Sequence, residues 1–445
     1  MPYKEAMTPA PAPDAARAPT PAAGSARHWM VVAGGACLMS AGMFLFLSSS
    51  ILNPPLAKHL GVGLSEVMAY NSMMALSGVI AMTFIGPPLY RAIGVRAAIV
   101  GGGAWMALTV GAVAFVPNVL LLAVLGFASG LMFGICTTMG ASMLINTWFE
   151  AKRGTMMGAV FALSGAGGIA AGLVMPAIVG AWGWQGGFLT LAGVMVALIV
   201  LPGLFLSRSA PDRLGLLALG ASERGPAASG TVVLPGVPAR RAFRTPQFAA
   251  LFLGVVLFGM VQAVQQHFAP LFVEHGVELA VAGTLISVMA LTGVVSNMAV
   301  GTLNDRRGTV TAAVFALACQ LVSMAAYVVG TGFVPLALAT VLFGFGAVLP
   351  GVLLPIMVQR VFGMRDYATI LGPAMATMPA GMALGTPLWG MAVDRTGSYT
   401  VALLASMGLT LVTTALLVWA LGSAPAMRRR VEAELGEGPA PTMAA

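Results

Sequence analysis

The residues in this chain best suited to chemistry lie where charge is absent. Gln262, Gln265 and Gln266 sit in an otherwise apolar run. If that run is an α-helix, at about 100° per residue, the three fall within roughly 100° of arc. Three amides on one face present donors and acceptors together, either to a bound molecule or to a neighbouring helix. His267 lies about 140° from Gln262 on the same helix. It reads as a packing histidine or, if it titrates, as a proton carrier. Other neutral polar groups interrupt apolar runs elsewhere. Thr137 and Thr138 lie in the fourth run with Asn146 at its end, Asn297 in the eighth and Trp389 in the eleventh. Asn53 in the first run, with Tyr70 and Asn71 in the second, forms a candidate vestibule beside Lys58 and His59. Each has a plainer reading: a threonine hydroxyl bonded to its own backbone, or a tryptophan at a membrane interface.

Catalytic chemistry has no comparable foothold. The four histidines, His28, His59, His267 and His275, are scattered, and no H-E-x-x-H or GxxxxGK[ST] pattern occurs. Cys37, Cys136 and Cys319 each stand alone in an apolar run and read as small packing residues. No enzyme, metal site or cofactor is expected.

The elements that must position these residues follow from composition. Of 445 residues, 58% are hydrophobic and 8% charged, against about 25% charged in a soluble domain. Such a chain meets lipid over most of its surface. Lipid leaves backbone groups unsatisfied unless they are bonded within a helix, at about 20 apolar residues per crossing. Apolar segments fall at 29–57, 66–90, 95–115, 118–148, 155–182 and 185–206, then at 247–273, 279–303, 309–330, 333–361, 367–393 and 398–421. Residues 1–28, rich in Pro and Ala, read as a disordered tail, 207–246 as a linker and 422–445 as a second tail.

Charge placement tests this layout independently. With twelve crossings and both ends on one side, twenty of the 22 Lys and Arg fall on that side, and Lys58 and Arg395 on the other. The positive-inside rule then puts both termini in the cytoplasm, in a plasma-membrane setting. Because the basic balance is topological, nucleic acid is not an expected partner. The halves also repeat. GPPLYRAIGVR at 86–96 recurs in outline as GTLNDRRGT at 301–309, and Trp148-Phe149 as Val361-Phe362, a spacing of 213 to 215 residues. The expected fold is all-α, with twelve transmembrane helices in two pseudo-symmetric halves, 29–206 and 247–421.

GTLNDRRG at 301–308 resembles the signature loop of the major facilitator superfamily, and its first-half counterpart has Tyr90 in place of the acidic residue, followed by Arg91. NTWFEAKRGTMMGAVFALSGAGGIAAG at 146–172 and WGMAVDRTGSYTVALL at 389–404 resemble the monocarboxylate transporter and oxalate:formate antiporter branch. The resemblance implies a monomeric secondary transporter of small organic solutes, working by alternating access as symporter or antiporter. It further implies that Asp305, Arg306, Arg307, Lys152, Arg153 and Arg91 latch a cytoplasmic gate. Monocarboxylates are the first expected substrate class. The cations that carboxylate-binding members commonly carry in the eighth and eleventh helices are missing: 278–303 and 367–393 contain no Lys or Arg. A proton-coupled exporter of neutral or amphipathic compounds is therefore the alternative, and a non-transporting membrane sensor a third reading.

Overall fold

The computed structural model describes residues 26–149, 153–205 and 236–435. Lys152 and most of the expected tail at 1–28 and linker at 207–246 lie outside the described residues.

The described chain is helical. The first half holds α1 (Ala26–Leu60), α2 (Leu64–Ile80), α3 (Gly86–Ala112), α4 (Val119–Gly134), α5 (Gly140–Trp148), α6 (Arg153–Met195) and α7 (Leu201–Phe205). The short α8 (Ala239–Ala242) leads into α9 (Pro246–Gln262), α10 (Phe268–Glu274), α11 (Leu279–Arg307), α12 (Thr309–Val329), α13 (Phe333–Gly346), α14 (Leu354–Phe362), α15 (Tyr367–Thr396) and α16 (Thr400–Leu435). Local chemistry sets several starts. Asn118 caps α4 by accepting from the Leu121 amide at 2.9 Å. Thr245 caps α9 with Pro246 in its first turn, where a missing N–H costs nothing.

Among the described residues, nine helical stretches are long and apolar enough to cross a membrane. Two of them, Leu64–Phe115 and Met156–Phe205, have 52 and 50 residues. At about 1.5 Å per residue either would be more than twice the roughly 30 Å hydrocarbon core if straight. Both double back at a glycine of positive φ, Gly94 (80°) and Gly183 (68°), a conformation that side chains with a Cβ rarely adopt. Before Gly94 the chain passes Gly134 and Met139; after it, Gly102 returns along Met132 and the Trp105 indole donates to the Ala128 carbonyl at 2.7 Å. Around Gly183, Gly168 lies beside Leu47 of α1 and Gly187 beside Leu52, while Pro202 and Gly203 come back to Gly34. The 30-residue α15, which contains Pro373, Pro379 and Pro387, is a further long helix.

Both described ends lie on one face, here the terminal face; the other is the distal face. Beyond its apolar stretch α16 continues as polar helix to Leu435, into the residues expected as a tail. Tertiary bonds hold this extension. Arg428 donates to the carbonyls of Val361 (2.9 Å) and Gln359 (2.7 Å) at the end of α14, where the last helical carbonyls have no partner of their own. Arg241 of α8 pairs with Glu434.

The two halves join on the distal side. There α6 approaches α11 so closely that Gly172 and Gly283 meet backbone to backbone, and Ser287 donates to the Ile169 carbonyl at 2.8 Å. Residues of both halves share one buried apolar cluster, including Leu52 and Ile51 with Phe268 and Phe272. Toward the terminal face the second half has a cluster of its own, around Val300, Leu353 and Phe362, to which the first half contributes no residue. The structure is therefore closed on its distal side.

Candidate functional site

The site is built on a break in the seventh apolar segment. After α9 the chain tightens into a 3-10 turn, Ala263–His267, before α10 resumes. A 3-10 turn has about three residues per turn, so Gln265 stacks over Gln262 and Gln266 swings about 120° away. The regular-helix arc expected from sequence is thus replaced by a wider spread. Trp389 of α15 sits at this break, its indole donating to the Met260 carbonyl at 2.7 Å. With only 6% of its surface exposed, it is buried between helices rather than placed at a lipid interface.

All three glutamines are buried. Gln262 is fully so, and neither its amide nitrogen nor its oxygen has a hydrogen-bond partner; the Gln266 oxygen is also without one. Each such atom costs about 1–3 kcal/mol if nothing satisfies it. Across the seam, α1 packs against the 3-10 turn and α10. Helix α1 carries buried Asn53, whose amide nitrogen is unpartnered as well. Pro54 and Pro55 follow it, and proline lacks the N–H that would serve the carbonyl one turn earlier. On α2, Asn71 is buried with both amide atoms unpartnered. Unpartnered amide atoms thus occur on α1, on α2, at the end of α9 and in the 3-10 turn. Buried polar atoms without partners are few in native proteins and mark places where water or ligand enters.

The remaining expected residues fall elsewhere. His267 is fully buried and cross-links the second half, with Nε2 3.0 Å from the Thr386 carbonyl and Nδ1 3.3 Å from the Tyr399 hydroxyl. A carbonyl only accepts, so Nε2 carries the proton and Nδ1 accepts from tyrosine. Tyr70 packs inside the first half against Phe188 and Gly126, separating it from the vestibule expected for it. Thr137 turns its hydroxyl onto the Phe133 carbonyl at 2.6 Å, while Thr138 beside it is half-buried in a π turn, Ile135–Met139. Asn297 is half-buried and donates to the Gly293 carbonyl at 2.8 Å, its oxygen facing Gly351 of the tenth segment. Gln320 on α12 is also unpartnered but lies against Gly346 within the second half.

Among the described residues, no ion pair joins Asp305, Arg306, Arg307 and Arg91. Asp305, Arg306 and Arg307 are exposed at the end of α11, and the Asp305 carboxylate accepts from the Asn304 amide at 3.1 Å. Arg91 is exposed and bonds the Pro87 carbonyl of its own helix at 3.3 Å. Arg153 opens α6, its side chain outside the described residues.

Sequence reasoning missed two distal carboxylates. Asp394 at the end of α15 accepts from the amides of Leu64 and Ser65 (3.0 Å each) and from the Ser65 hydroxyl (2.5 Å). Glu274 at the end of α10 accepts from the Ser398 hydroxyl at 2.7 Å and the Tyr399 amide at 3.2 Å. Asp394 lies in the quoted AVDRTGSY stretch, but an acid at a helix end reads as solvated until its partner helix is seen.

Comparison with known proteins fits this architecture. The family model of the Major Facilitator Superfamily matches residues 34–378, and the chain belongs to that superfamily. It is 26% identical to human monocarboxylate transporter 11 over 424 residues, covering 90% of this chain and 85% of the relative. It is 27% identical to the MFS-type transporter pytF of Aspergillus terreus over 302 residues, covering 65% and 93%. Among solved structures, the nucleoside transporter NupG superposes with a TM-score of 0.70 at 14% identity, covering 89% of this chain and 99% of that one. A bacterial homologue of the human lysosomal transporter Spinster, inward-facing and unoccupied, superposes with a TM-score of 0.63 at 15% identity, covering 94% and 100%. At these identities the structural likeness is one of fold. The protein is thus a multi-pass membrane transporter of small molecules, not an enzyme.

Proposed function

We propose that this transporter carries a small organic solute, foremost a monocarboxylate, by alternating access, and that the solute binds the amides of the 3-10 turn and α1. One observation carries the site: fully buried Gln262 has both amide atoms unpartnered, and further unpartnered amide atoms occur at Gln266 in the adjoining turn and at Asn53 on α1, the helix that packs against that turn. A solute supplying an acceptor and a donor there satisfies atoms that otherwise cost free energy. The monocarboxylate class draws on the human relative's name and on the two motif stretches. The chain makes twelve crossings in six-helix halves, 29–206 and 247–421, as a monomer. Its terminal face is cytoplasmic, because Lys58 and Arg395 alone among its 22 Lys and Arg stand distally in that layout. The state described here then faces inward. Asp305, Arg306, Arg307, Arg91, Lys152 and Arg153 come together when it faces outward.

A second reading is favoured by the missing cations at 278–303 and 367–393. An interior of amides without a cation suits a neutral or amphipathic solute, exported against protons. Flux into proteoliposomes, with carboxylates and neutral solutes compared with and without a pH gradient, tests both. Carboxylate exchange supports the first reading. Flux of neutral compounds alone replaces it with the second.

A further inference from the structure

We infer that Asp394 is a positioning residue of the transport cycle, holding the distal ends of the two halves together by capping α2 from the opposite half. The first amides of a helix have no acceptor within it and are usually served by a Ser, Thr, Asp or Asn at the cap. The cap of α2 is Gly63, which has no side chain to do so. Asp394, 330 residues away from Leu64, supplies the missing acceptor: its two oxygens take the Leu64 and Ser65 amides at 3.0 Å each, and one also takes the Ser65 hydroxyl at 2.5 Å. A carboxylate at a helix N-terminus also meets the positive end of the helix dipole.

Both surfaces are cut away to let this contact form. A Cβ on Gly63 would stand 2.7 Å from Asp394 Oδ2, and one on Gly390, a turn earlier in α15, would stand 2.8 Å from Ser65 Cα. An aspartate at position 63 would cap α2 locally and, standing where the Asp394 carboxylate now lies, would displace that carboxylate from the helix end. Glu274 makes the instructive contrast. It holds Ser398 and Tyr399, just ahead of α16, within its own half, so no movement between halves need break it. The Asp394 cap spans the seam and must break whenever the distal side opens. Losing it leaves α2 uncapped, so the contact biases the chain toward the distally closed state.

The inference rests on the alternating-access reading, and its test needs no substrate. In a chain without Cys37, Cys136 and Cys319, spin labels are placed by Lys58→Cys and Glu278→Cys, two exposed distal positions in opposite halves. Their separation is measured by double electron–electron resonance in lipid nanodiscs. Asp394→Ala is expected to raise the long-distance population about threefold or more. Gly63→Asp is expected to raise it likewise, although it gives α2 a cap of its own and does not weaken that helix. A distribution unchanged by Asp394→Ala overturns the inference. Where that variant fails to fold, Gly63→Asp decides by the same two outcomes. Failure of the carboxylate reading appears separately, in the flux panel.

Discussion

The Trp389 indole of α15 donates to the Met260 carbonyl of α9 at 2.7 Å, at the point where α9 gives way to a 3-10 turn. The tighter turn changes which amide reaches that carbonyl, and the indole adds a donor from a neighbouring helix. The bond thus fixes the break that orients the glutamines. Trp389→Phe keeps the ring and removes the donor. It is expected to lower stability by about 1 kcal/mol and to weaken solute affinity, read from thermal unfolding in detergent and from half-saturation in flux.

The unpartnered amides make an unusual pairing of stability and function. Gln262→Leu removes two unsatisfied buried atoms at nearly constant volume. It is expected to stabilise the empty protein by about 1 kcal/mol while impairing transport, a trade familiar from functional sites. Thermal unfolding of the solute-free protein checks the direction. A marked fall in stability would mean that water or protein already satisfies Gln262.

His267 bridges α15 and Tyr399, the residue just before α16, through opposite ring nitrogens. With the Thr386 carbonyl as one partner, the expected tautomer has hydrogen on Nε2 and a bare Nδ1. Nitrogen NMR of histidine-labelled protein reads this directly. His267→Phe, which keeps an aromatic ring but loses both bonds, is expected to cost about 1–2 kcal/mol of stability.

Gly172 and Gly283 meet backbone to backbone across the halves. Gly172→Val is expected to wedge the distal seam apart. Labelling of an introduced distal cysteine by a membrane-impermeant thiol reagent should rise several-fold, with the helical circular dichroism unchanged.

Much of this was legible in the sequence for simple physical reasons. Apolar length and the scarcity of charge record the bilayer, so an all-helical, multi-pass chain needs no tertiary information to be read. The reversals at Gly94 and Gly183 were legible because RAIGVR and WGWQ break apolar runs. The glutamines stood out as polar groups in an apolar run. Their disposition did not, because the 3-10 turn comes with a contact from Trp389, 129 residues from Met260. Asp394 escaped for the same reason: what it caps lies in the other half. Tyr70 read as a vestibule residue because its neighbours in sequence are polar, whereas its contacts are Phe188 and Gly126.

The central claim is that the solute binds the buried amides at the break in the seventh segment. Counterflow in proteoliposomes, comparing wild type with Gln262→Leu and Gln266→Leu over a panel of carboxylates and neutral solutes, tests it most directly. For the solute that wild type exchanges, each variant should raise half-saturation or cut the exchange rate about tenfold, the scale of one or two lost hydrogen bonds. Unchanged half-saturation and rate in both variants would contradict the account.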